Sequence, residues 1–177
     1  TPITPFSPFY TKDVNMYDVN LEKAKKLLDE AGYPVKADGT RFTVTVDYAP
    51  GSPTTKMMAE YLKPQLAKVG IDAKIRISPD FGTWAERVSN YNFDITTDNV
   101  FNWGDPVIGV HRTYSSANIV KGVPFSNTQQ YRNPKVDAIM EQAASEVDNE
   151  KRAKLYNEFQ QIVMNDVPIY FMTTTAY

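Results

Sequence analysis

The sequence predicts an α/β fold in which a mainly parallel sheet is flanked by helices. Segments of alternating apolar and polar residues recur three times, around residues 42–48, 71–77 and 93–100. The gaps between them hold stretches with apolar residues at helical spacing, closed by glycine or proline. Strand, helix, strand, helix, strand at such spacings is the pattern of parallel strands joined by crossover helices.

Residues 1–17 carry Pro2, Pro5, Pro8 and several aromatics with no sustained period, so they read as an irregular segment on a surface or a connection from elsewhere. Asp18-Val19-Asn20 supplies capping side chains, and Leu21, Ala24, Leu27, Leu28 and Ala31 follow on one helical face. Gly32 is placed to close that helix in a left-handed cap, with Pro34 beyond. Phe42, Val44, Val46 and Tyr48 form the apolar side of the first strand.

From about Thr54, Met58, Tyr61, Leu62, Leu66 and Val69 give a second helix, which Pro64 should bend near Tyr61 without dividing it. Ile71, Ala73, Ile75 and Ile77 mark the second strand. Asp80 to Tyr91 reads as a helix with Trp84 and Val88 inward, and Phe93 to Val100 as the third strand. Pro106 to Tyr114 suits a short helix with proline first, and Ser115 to Tyr131 a long polar loop. Asn133-Pro134 opens a helix with the stripe Val136, Ile139, Met140, Ala143 and Val147. Asp148 or Asn149 caps another, with Leu155, Tyr156, Phe159, Ile162 and Val163. Val167 to Thr175 reads as a last strand.

Bulk properties exclude several function classes. A chain of 177 residues with 42% hydrophobic and 23% charged residues can bury a core. A net charge of −2 with dispersed basic residues argues against a nucleic-acid partner. No apolar run approaches the ~20 residues a membrane helix needs. The absence of cysteine rules out disulfides, thiolate metal sites and a Cys nucleophile, and suits an extracytoplasmic protein without requiring one. Starting at Thr1 without a visible signal peptide, the chain reads as processed or as an excised piece of something longer.

Catalytic and cofactor motifs are missing: there is no nucleophile elbow, P-loop, zincin helix or dinucleotide fingerprint, and no cofactor is expected. With one histidine, His111, the chain has no two-His metal site, and a surface or hydrogen-bonded role fits His111 better than ligation. The informative stretch is Phe101-Asn102-Trp103-Gly104-Asp105-Pro106, an aromatic, amide and carboxylate set that follows a strand. Open α/β sheets bind ligands beyond the carboxyl ends of their strands, so Phe101, Asn102, Trp103 and Asp105 are the candidate wall of a cleft. A ligand ammonium could pair with Asp105 and lie on the Trp103 or Phe101 ring. Equally, the aromatics could be core residues, with Asp105 capping the next helix.

Several ordered stretches carry a resemblance. They are Tyr17 to Tyr33, Leu62 through Gly70-Ile71, Phe93-Asp94, Gly104-Asp105-Pro106, Tyr131 to Asp137, Lys151 to Tyr156 with Gln160, and Val167-Pro168. Together they span nearly the whole chain, which resembles the carboxy-terminal lobe of the family 5 extracellular solute-binding proteins, the peptide/nickel class serving ABC importers. The resemblance implies one lobe of a bilobal, type II-like periplasmic binding protein. Residues 1–17 would run in from the hinge and residues 18–177 form the lobe, its partner lobe lying outside this sequence. It further implies a monomeric, non-enzymatic, periplasmic or otherwise extracytoplasmic receptor, with a lipid anchor upstream as one option, that works with an ABC permease. Its ligand would be a peptide, or alternatively an oligosaccharide, an opine or a nickel chelate. In peptide-binding members an aspartate after the third strand pairs with the peptide amino group, and Asp105 is the nearest match. Here, however, that aspartate is joined directly to Pro106, so it also matches a separate Asp-Pro of the family. Nickel-chelate members use a histidine of this lobe, for which His111 is the only candidate.

Overall fold

The computed structural model describes residues 1–174. They form two compact units, one of Tyr17–Asn99 and one of Thr1–Met16 with the chain from Val100 onward.

The Tyr17–Asn99 unit is the α/β part. It contains α1 (Leu21–Glu30), β1 (Phe42–Tyr48), α2 (Pro53–Ala67), β2 (Ile71–Arg76), α3 (Phe81–Ser89) and β3 (Ile95–Thr97). The sheet has three strands in the order β2-β1-β3, with both pairings parallel. The apolar side of β1 packs Val44 and Val46 with Ala59 and Leu66 of α2 and Ala73 of β2. On the opposite side Trp84 of α3 donates its indole N–H to Thr96 Oγ1, and Arg87 of α3 reaches Asp47 of β1. Helices therefore cover both faces, as parallel sheets require.

Several expectations are corrected in this unit. The third strand, Ile95–Thr97, is shorter than Phe93 to Val100; at its start the Asp94 carboxylate takes the Thr45 N–H that a longer β3 would have to engage. α3 starts one residue after Asp80, which is its N-cap, and ends at Ser89. α2 continues past Pro64, but Tyr61 is exposed rather than part of a buried stripe. α1 has the expected Asn20 cap and a left-handed Gly32, yet none of its residues is fully buried.

The second unit is helical: α4 (Val110–Tyr114), a 3₁₀ turn (Ser116–Asn118), α5 (Pro134–Ser145) and α6 (Asn149–Asp166). Its core joins Val136, Ile139, Met140 and Ala143 of α5 to Tyr156, Phe159 and Val163 of α6. The proline-rich start of the chain is irregular, but Ile3 and Phe9 are buried in this core. Gln160 ties the start down, donating to Phe9 O at 2.9 Å and accepting from Thr11 N–H.

Here too the structure differs from the pattern. α5 ends at Ser145, which leaves Val147 93% exposed instead of on its stripe. Val167 caps α6 in a left-handed conformation, and no strand follows among the described residues up to 174; Thr175, the last residue of the expected strand, lies outside them. The expected helix from Pro106 begins only at Val110, because Gly109, at φ 103°, is non-helical.

Candidate functional site

The stretch Phe101 to Asp105 lies in the helical unit and is held by bonds to its own unit. Asn102 donates its side-chain amide to Pro2 O at 2.6 Å. Ser7 Oγ donates to Gly104 O at 3.0 Å, so the irregular N-terminal segment holds the loop twice. Ile108 N–H donates to Asp105 O at 3.0 Å and Val107 N–H to Asp105 Oδ1 at 3.0 Å. This is an Asx-type turn, so Asp105 caps a turn and not the helix itself. The chain then folds back so closely that a Cβ on Gly109 would lie 2.3 Å from the Phe101 carbonyl oxygen.

Both aromatics of this stretch face outward, Phe101 at 58% and Trp103 at 63% exposure. They are not core residues. The other tryptophan, Trp84, is the buried one. Two large exposed rings close together on a braced loop offer the kind of surface that a stacking or apolar contact uses.

Asp105 has a cationic partner within the chain. Arg152, in the first turn of α6, donates from both terminal nitrogens to its two oxygens, at 2.7 and 2.9 Å. These bonds hold the carboxyl below its ordinary value, against the opposing effect of desolvation. Arg152 also donates Nε–H to Ala143 O at 2.9 Å, and its guanidinium lies 4.9 Å from the Phe9 ring centre and 5.5 Å from that of Tyr156.

His111 Nε2 lies 3.0 Å from the Tyr156 hydroxyl. Burial, reinforced by the Arg152 charge, pushes its pKa down to about 4, although Asp105 pulls the other way. The ring is neutral at pH 7. Among the described residues no group of three or more His, Asp or Glu could hold a metal.

In the α/β unit, Asp98 follows the carboxyl end of β3. Burial raises its pKa to about 6, and its Oδ1 accepts from Asn99 N–H.

The sequence singles out the stretch Phe101 to Asp105, but neither its exposure nor what braces it. Arg152 sat among charged residues at a helix start and nothing local marked it. Gly109 did carry a signal, since a glycine within a supposed helix asks for a reason.

A model of the bacterial extracellular solute-binding proteins, described as family 5 Middle, matches residues 1–121. Heme-binding protein A of Haemophilus influenzae is 32% identical over 94% of this chain and 30% of its own. The oligopeptide-binding protein AppA of Bacillus subtilis is 28% identical over 97% of this chain and 32% of its own. The solved structure of Bacillus subtilis AppA with a nonapeptide is similar at a TM-score of 0.78 and 27% identity, over 95% of this chain and 35% of that one. The chain thus spans about a third of the length of these curated relatives.

Proposed function

The chain belongs to the bacterial extracellular solute-binding proteins of family 5, and on that basis we propose that it recognises a peptide as part of the substrate-binding component of an ABC importer. Its role is to bind and hand over, not to transform. The observation that carries this reading is the pair of exposed rings, Phe101 and Trp103, on a loop braced from Pro2, Ser7 and Arg152. Phe101, Asn102 and Trp103 form one wall of the ligand site, with Asp105 at its base. A second lobe, from the remaining two thirds of a receptor the size of its relatives, supplies the other wall. Ligand bridging both walls stabilises the closed form that a permease reads on the extracytoplasmic face. The peptide-binding names of several relatives support the choice of ligand.

Native mass spectrometry of the complete receptor, purified without refolding, tests this directly. A retained mass that fragments as a peptide is the expected result; a different class of retained compound would overturn the choice. A sugar or opine is the second reading, because an exposed tryptophan ring stacks equally well on such ligands.

A further inference from the structure

The placement of Arg152 runs against its own helix. A cation in the first turn of α6 opposes the partial positive charge of a helix N-terminus. What offsets this is a full set of partners: both oxygens of Asp105, the Ala143 carbonyl in the last turn of α5, and the ring faces of Phe9 and Tyr156. One planar group therefore joins α5, α6, the N-terminal segment and the exposed loop. A bidentate guanidinium–carboxylate pair fixes orientation as well as distance, which a lysine cannot do. It also uses the only carboxylate between Phe101 and Gly109.

We propose that Arg152 is the positioning residue of the Phe101–Asp105 loop and that, by occupying Asp105, it leaves that rim charge-neutral, so that the rim takes an apolar or aromatic side chain of a peptide and not its free ammonium. The second half of this rests on the peptide reading above; the first half does not. Trp103 and Phe101 supply the apolar surface, and the Asn102 amide oxygen adds an uncharged acceptor. Arg152 acts only through the loop and touches no ligand.

The complete receptor carrying Trp84→Phe makes Trp103 the one tryptophan contributed by this chain. A Trp103→Phe control subtracts any tryptophan signal from elsewhere in the receptor. In this background, Arg152→Lys and Asp105→Asn should each lower Trp103 fluorescence anisotropy, and the double variant should lower it no further than the larger single effect. A lowered melting temperature with unchanged Trp103 anisotropy would show that Arg152 merely supports the helices and would overturn the positioning role. If Arg152→Lys fails to fold, Asp105→Asn removes the same clamp from its half-exposed side and decides the matter alone.

The probes for the rim are a free-amino hexapeptide with one central phenylalanine and its N-acetyl form. Asp105→Asn should weaken both by the same factor, about tenfold, as expected when a charge-assisted pair that orders the loop is lost. Loss confined to the free-amino peptide would mean that Asp105 meets the ammonium, overturning the neutral rim. If neither peptide binds the unaltered receptor, the peptide reading and the neutral rim fall together, while the anisotropy still decides the positioning role.

Discussion

Gly109 has no side chain because the Phe101 carbonyl occupies the space one would need, and its φ of 103° is a conformation that L side chains rarely adopt. Gly109→Ala should therefore cost about 1–3 kcal/mol, from backbone strain and a displaced Phe101, measured by urea denaturation. An unchanged midpoint would mean that the loop absorbs the methyl group freely. At His111 the effect depends on pH. Its folded pKa, about 4, is below the ordinary 6.5, so between those values the unfolded chain holds more protons at this site. This group alone makes stability fall as pH drops from 6.5 to 4 and contributes no further change below that. His111→Gln should flatten that part of the stability profile relative to the unaltered protein. An identical slope in both would contradict burial of the neutral ring against Tyr156.

Among the elements, the parallel sheet depends on a charge beneath it. Asp47 of β1 is fully buried and accepts from Arg76 of β2 at 2.8 and 3.0 Å and from Arg87 of α3 at 2.8 Å. The strand and the helix on that face are thus held by one carboxylate. Asp47→Asn leaves two guanidinium groups facing each other, both partly solvated, so the low end of the usual range applies, about 3 kcal/mol of stability. Arg87→Leu should cost clearly less, since Arg76 keeps its bidentate grip on Asp47. Equilibrium denaturation of the two variants checks the order, and a larger loss for Arg87→Leu would contradict it. The period of two in Phe42 to Tyr48 marked which residues of β1 were apolar but could not say that Asp47, on the supposedly polar side, would be buried under a helix. The polar stretch Ser115 to Tyr131 shows the same limit. Asn127 is buried there and donates its amide to the carbonyls of Tyr114, Ser115 and Tyr131 while accepting from Tyr131 N–H. One asparagine organises the segment, and composition does not distinguish it from its neighbours.

For the whole molecule, the consequence of the proposed two-walled site is quantitative. A single wall offers part of the contacts and leaves the ligand facing water, so the 177-residue chain alone should bind a peptide at least about tenfold more weakly than the complete receptor. Calorimetry with the same peptide on both proteins measures this. Equal affinity would place the whole site within this chain and refute the second wall. The peptide also stabilises the state it binds by mass action, so the complete receptor should show the larger rise in melting temperature.

Helix starts at Asn20, Asp80, Asn133 and Asp148 were legible because a cap and the helix it opens lie within a few residues of each other. The parallel α/β order was legible for the same reason, since alternation and helical spacing are local properties of the chain. The outward-facing rings of Phe101 and Trp103 could not be told from core aromatics by sequence, because hydrophobicity does not say which side of a loop meets water. The fate of Asp105 was still further out of reach. Its partner Arg152 is 47 positions away, on a helix whose charges all look alike in one dimension. Spacing encodes contacts over a few residues; the pairing of two distant charges exists only once α5, α6 and the N-terminal segment have packed and brought both ends to one place.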